Sequence, residues 1–158
     1  MKLIGKGERS KVYQHEDDDK VLKITKYKKE KEVIEYFFKN PANYFVQIYN
    51  IEIKGSFIHA TCEKVFNTSF TMKVRNSSIS FFESYFNSRK YTEVINNDDL
   101  KEQYIINRIN ELDVDEKIVR EYYKLLDQAY NDGLNIFDVA WNIGQRKDGN
   151  LVCYDAEF

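Results

Sequence analysis

Three polar residues near the C-terminal end of the sequence have the types and spacing of a phosphate-handling metal site. Asp138 stands four residues before Asn142, and Asp155 follows a later apolar run, with the turn Lys147-Asp148-Gly149-Asn150 in between. Two carboxylates and an amide gathered at one end of a hairpin offer hard oxygen ligands, the kind Mg²⁺ takes alongside phosphate oxygens. The same residue types also serve ordinary turns. A phosphate site further needs a loop that cradles oxygens and a lysine, and both occur at the other end of the chain. Gly5 and Gly7 lie in G-K-G-E-R-S-K-V-Y, residues 5–13, where backbone N–H groups can approach an anion closely, although a plain hairpin uses the same glycines. Lys23 sits within the β-type run Val21-Leu22-Lys23-Ile24. Turned inward, its ammonium needs an anionic partner. Glu30 is the candidate, unless it forms only a surface pair with a neighbouring lysine.

The elements that position these residues follow from periodicity and punctuation. Met1 to Ile4, a Gly-rich turn, a second strand, the acidic turn Glu16 to Asp19 and the Lys23 run predict a three-stranded start. Lys26 to Asn40 predicts a helix whose inner face carries Tyr27, Glu30, Val33, Ile34 and Phe37, stopped by Pro41. Tyr44 to Ile53 and Phe57 to Lys64 predict two more strands joined by Lys54-Gly55-Ser56. Val65 to Ser77 is polar and irregular and predicts a linker. Helices are expected over Ser78–Lys90, Asp98–Asn110 and Asp115–Asp132, the last stopped by Gly133. A strand-rich part around one helix, then a helical part, then an acid-bearing hairpin predicts an α+β fold of two lobes with a cleft between them.

Composition narrows the function classes. A formal net charge of −2 with no basic block argues against nucleic-acid binding. His15 and His59 are the only histidines, too few for a His-based metal site. Cys62 and Cys153 sit in apolar runs and are expected as buried free thiols in a reducing compartment. With no signal-peptide pattern and no long apolar run, neither export nor membrane insertion is expected, and the expected location is the cytoplasm.

Taken together and in order, the motifs resemble a eukaryotic-type Ser/Thr protein kinase cut to its minimum. Gly5-x-Gly7-x-x-Ser10-x-Val12 resembles the Gly-rich loop, with Ser10 at the third glycine. Val21-Leu22-Lys23-Ile24 resembles V-A-I-K, and Glu30 the helix glutamate that pairs with its lysine. Cys62-Glu63-Lys64-Val65 resembles the gatekeeper and hinge; Asn142 and Asp155 resemble the two metal ligands, and Asp138 the catalytic-loop aspartate. The opening I-G-x-G-x-x-S-x-x-Y, the segment F-D-x-x-x-x-N-I (here with Asp138 closer to Asn142) and the D-x-x-F ending are similar to short protein-kinase-like proteins of tailed bacteriophages. The likeness covers residues 3–65 and 133–158. It implies one kinase-like domain over residues 1–158, with an N-lobe of residues 1–65 bearing the nucleotide loop. A truncated helical C-lobe, residues 66–158, would carry the catalytic hairpin. It implies ATP and Mg²⁺ as ligands and Asp138 and Lys23 as catalytic residues. ATP would lie against Gly5, Lys6, Gly7, Glu8, Ser10, Val12, Lys23, Glu30, Glu63 and Val65, with Mg²⁺ on Asn142 and Asp155. A phage-encoded protein would work in the host cytoplasm.

The sequence departs from the family pattern in three places. The interval from Asp138 to Asn142 is one residue short, so an ungapped match puts Phe137 at the base position. Ile136-Phe137-Asp138 replaces H-R-D, and Asp155-Ala156-Glu157 replaces D-F-G. No activation segment or A-P-E follows Asp155 in the sequence, and with them goes the usual peptide-docking surface. The expected activity is therefore ATP/Mg²⁺-dependent phosphate transfer to protein hydroxyls. The alternatives are a catalytically dead pseudokinase that binds or inhibits a host protein and, third, a small-molecule kinase. The acceptor and the oligomeric state are left open.

Overall fold

The computed structural model describes residues 1–76 and 96–158. The helix expected over Ser78–Lys90 lies outside them. The strands β1 (Leu3–Lys6), β2 (Ser10–Gln14), β3 (Lys20–Thr25), β4 (Ile48–Lys54) and β5 (Phe57–Glu63) form one antiparallel sheet in the order β1-β2-β3-β5-β4. Alternation sets its two faces: Ile58, Ala60 and Cys62 of β5 are buried, and Lys23 and Thr25 of β3 share that inner face. Lys23 lies opposite Val12 on one side and Ala60 on the other. The methyl group of Ala60 leaves room for a lysine chain that a larger residue would fill.

Helix α1 (Lys28–Lys39) buries Glu30, Val33, Ile34 and Phe37 against the sheet and ends at Asn40, before Pro41. Phe37 stacks on Phe45 with ring centroids 4.1 Å apart. The inner face predicted for this helix is therefore present, except that Tyr27 stands at the N-cap. The second half contains α2 (Ser69–Asn76), α3 (Asp98–Leu112), α4 (Glu116–Asn131) and the short α5 (Ile136–Trp141), followed by a hairpin of β6 (Ile143–Gln145) and β7 (Leu151–Cys153). Helix α4 supplies most of the apolar surface here, burying Val119, Tyr122, Tyr123, Leu125, Leu126 and Ala129. Asp115 caps its start through Lys117 N, and Gly133, at φ +79°, follows its end.

Three expectations are corrected. Part of the segment read as a linker is helix α2: Thr68 and Thr71 cap each other's N–H groups, and Phe70 and Val74, four apart, are both buried. Its signal was hidden because threonine, rather than Glu or Gln, closes the capping pair. The strand predicted from Tyr44 begins at Ile48, because residues 44–46 pair with β7 instead: Cys153 N donates to Tyr44 O at 2.7 Å and Val46 N to Cys153 O at 2.9 Å. Asp138 lies in α5 and not in an extended hairpin arm.

The hairpin is bonded into the strand-rich half. Phe66 and Gln145 exchange two backbone hydrogen bonds of 2.9 Å. Arg146 Nε donates to Glu63 Oε1 at 2.7 Å, and its terminal nitrogens donate to the carbonyls of Asn43 and Phe45. A Cβ added to Gly144 would stand 2.8 Å from Val65 Cγ2, so β6 and the residues after β5 touch through a glycine. One buried apolar cluster runs through both halves.

Candidate functional site

Lys23 is 7% exposed and holds two carboxylates at once: Glu30 Oε1 at 2.7 Å and Asp155 Oδ1 at 2.9 Å. Strand alternation turns it inward, α1 brings Glu30 from one side, and the residues after β7 bring Asp155 from the other. Burial alone would lower the lysine pKa, but Asp155 and Glu30 more than offset it, so the ammonium is held above its usual range. Two carboxylates sharing one ammonium are driven apart. Burial would raise Glu30, but Lys23 brings it below the usual carboxylate value. Asp155 is raised, by burial first and by the charge of Glu30, with Lys23 opposing.

Lys23 and Asp155 of this triad line a cleft of about 490 Å³. Gly5, Lys6, Gly7, Ser10 and Val12 from the first two strands and their loop line it, together with Glu63 and Val65 around the end of β5 and with Lys23, Asn142 and Asp155. Neither Gly5 nor Gly7 has positive φ, and a Cβ on either would meet only ordinary contacts at 3.5 Å and 3.4 Å. The fold itself does not demand glycine there. What the two glycines preserve is space in the cleft. The carboxylate of Glu63 is already engaged by Arg146 and Gln47 N, so its contribution to the cleft is its backbone.

A second cavity of about 410 Å³ adjoins the first and shares Gly7, Ser10, Asn142 and Asp155 with it. Glu8, Glu30 and Asp138 are in its walls, so every residue expected at the site lines one cavity or the other. Asn142 Nδ2 donates to Asp138 O at 3.0 Å and approaches Asp138 Oδ1 at 3.4 Å. Asn142 and Asp138 are thus fixed relative to each other by a four-residue helical step. Burial, then the nearby charges of Asp155 and Glu157, push the Asp138 carboxyl up to about 6.

No protein-family model matches this sequence, and no curated protein matches it either.

Among the described residues, no group of three or more His, Cys, Asp or Glu side chains is placed to hold a metal ion. Asn142 and Asp155 line the same cleft, and each carries an oxygen of the type Mg²⁺ takes beside substrate phosphates and water. The bond to Asp138 occupies the nitrogen side of the Asn142 amide, so the carbonyl oxygen is turned elsewhere. One Asp155 oxygen faces Lys23.

Two residues in the second cavity were not singled out from the sequence. Arg9 Nη1 lies 3.5 Å from Glu157 Oε2, and the Arg9 guanidinium lies 4.0 Å from the centre of the Tyr27 ring. Glu157 Oε1 also faces Lys29 Nζ at 3.7 Å, and its carbonyl accepts from Asn135 N at 2.8 Å. Arg9 and Glu157 are 148 positions apart, and no local pattern links them. Among the described residues no helix is long and apolar enough to cross a membrane.

Proposed function

We propose that the protein is an ATP- and Mg²⁺-dependent phosphotransferase that moves the γ-phosphoryl group to a protein serine or threonine hydroxyl. The observation that carries this reading is Lys23, buried and charged between Glu30 and Asp155 beneath a glycine-bearing loop. A buried ammonium fixed by two carboxylates is a preorganised partner for phosphate oxygens, with little reorganisation left to make at the moment of reaction. Lys23 orients the phosphates, and the N–H groups of the loop from Gly5 to Ser10 cover them. Asn142 and Asp155 hold Mg²⁺, which when bound neutralises charge on the transferring group. Asp138 orients the acceptor hydroxyl and takes its proton. The acceptor oxygen forms a new bond to phosphorus, the bond from the γ-phosphorus to the bridging oxygen breaks, and ADP leaves. A carboxyl raised to about 6 suits that duty near neutral pH.

A second reading has its own observation. Asp155 already faces Lys23, and the short loop before Asn142 is wound into α5. These contacts favour a protein that binds nucleotide or a host protein without turnover, a pseudokinase. Incubation with γ-labelled ATP and Mg²⁺, alone and with host lysate, separates the two. The phosphotransferase reading expects label on a protein acceptor, lost in both Lys23→Ala and Asp155→Ala at unchanged circular dichroism. Transfer that survives in either variant overturns it. A thermal titration with ATP, with and without Mg²⁺, adds the binding arm: metal-dependent stabilisation without transfer supports the pseudokinase reading.

A further inference from the structure

We propose that the free edge of β4 is a self-association surface, on which a second copy of this chain pairs antiparallel about a two-fold axis through Ile53. The pairing uses no residue of the cleft and stands apart from the phosphotransferase reading.

β4 ends the sheet order β1-β2-β3-β5-β4, and among the described residues no strand pairs with its outer side. The turn Gly55-Ser56 fixes which backbone groups that side presents. Lys54 pairs with Phe57 across this two-residue turn, so the N–H and C=O of Lys54 and Glu52 point to β5, and those of Ile51 and Ile53 point away from it. Such a row of outward groups is a template for another strand. Helix α1 steadies the turn, because the Lys31 ammonium donates to the Ser56 carbonyl. Ile53 is 71% exposed, the most exposed large apolar residue of the sheet.

Glu52 and Lys54 select the partner. Charges on a strand edge ordinarily repel a second edge, but these two are of opposite sign and pair with each other at 2.8 Å on an open surface. In an antiparallel copy centred on Ile53, Ile53 meets Ile53, Glu52 stands opposite Lys54, and Lys54 opposite Glu52. Those are the non-hydrogen-bonded positions, where opposite side chains come closest, and the four charges alternate in sign across the two strands. Moving the axis one residue either way sets Glu52 against Glu52 or Lys54 against Lys54. Moving it to Ile51 leaves the two charges facing Asn50 and Ile48. One register thus answers both charges, and it is the one that covers Ile53. An unrelated strand has no reason to carry this mirror pattern, whereas a second copy carries it by necessity. The paired stretch is short, so the dimer is weak and depends on concentration.

The test is sedimentation equilibrium of the whole chain without nucleotide, at concentrations rising into the millimolar range, with circular dichroism as the check on fold. The apparent mass should climb from monomer towards dimer. Glu52→Lys and Lys54→Glu each set like charges opposite each other and should weaken the dimer by about tenfold or more. The two substitutions together reverse the signs and keep the alternation, so the double variant should return to within about threefold of the parent. An equimolar mixture of the two single variants should associate more tightly than either alone, since each supplies the charges the other lacks. A chain that stays monomeric into the millimolar range overturns the proposal. So does a dimer indifferent to the charge variants, a double variant no stronger than the single ones, or a mixture that gains nothing. Phosphate transfer by a protein that stays monomeric would keep the phosphotransferase reading and overturn the edge pairing. A dimer with these charge effects, but no transfer, would keep the pairing and count against the phosphotransferase reading.

Discussion

Replacing Lys23 by methionine tests the buried ion triad directly. Methionine matches the lysine stem in length, so the substitution removes the ammonium and leaves the packing against Val12 and Ala60 nearly unchanged. It strands Glu30, whose side chain is 7% exposed, and Asp155, whose side chain is 32% exposed. Removing one partner of a buried pair costs about 3–5 kcal/mol, and the partial exposure of Asp155 puts this case near the lower end, about 3 kcal/mol. At roughly 2–4 °C per kcal/mol for a chain of this size, the melting temperature near pH 7.5 should fall by about 6–12 °C. The sign of the pH dependence follows from Glu30. In the native protein Lys23 holds its pKa below the usual value, so its stabilising contribution is present above the unfolded value and fades as pH falls through the folded one. In the variant the orphaned carboxylate prefers its proton, so the gap between the two proteins should narrow towards about pH 4.5. Adding Glu30→Gln to Lys23→Met should recover most of the loss. Trp141, the only tryptophan, reports unfolding by fluorescence beside circular dichroism. An unchanged melting temperature near neutrality, or a gap that widens in acid, would refute the ion-pair account.

Three further outcomes are expected. Asp138→Asn should raise stability above about pH 6 and have no effect below about pH 4, since a carboxyl with a raised folded pKa loses native stability as pH rises through that window; allowing for solvent screening, the gain is about 1 kcal/mol, read from denaturant titrations without Mg²⁺. Gly144→Ala drives a methyl group into Val65, 2.8 Å from Cγ2, and should cost about 2 kcal/mol, with Val65→Ala on the same chain restoring much of it in thermal melts. Gly7→Ala should leave the melting temperature within about 2 °C, because its Cβ meets nothing closer than 3.4 Å, while weakening any ATP-induced stabilisation; a large loss of fold would show that glycine there is structural.

Much of this architecture could be read from period and punctuation. The inner face of α1 and the glycine turn at Gly149 follow from local patterns, since an amphipathic stripe and a positive φ leave marks on neighbouring residues, whereas alternation in a six-residue strand left open which way Lys23 turns. Helix α2 was missed because two threonines cap it where a glutamate would have announced it. The early part of the fourth strand was misassigned because residues 44–46 bond to β7, about a hundred positions later, and long-range pairing leaves no period. For the site, Lys23, Glu30, Asn142 and Asp155 were legible through motif order. Arg9 and Glu157 were not, because an ion pair closed across the whole chain carries no local signature.

The stitching of the β6–β7 hairpin has a mechanical consequence. Backbone bonds from Cys153 to Tyr44 and Val46, the Phe66–Gln145 pair and the three bonds of Arg146 fasten the floor under Asp155 to the sheet that carries Lys23. Through these bonds the two walls of the cleft are tied into one frame. The loop between β1 and β2 is fastened to that frame at Arg9: its carbonyl accepts from Thr25 Oγ1 at 3.2 Å, and its guanidinium lies over the Tyr27 ring and 3.5 Å from Glu157.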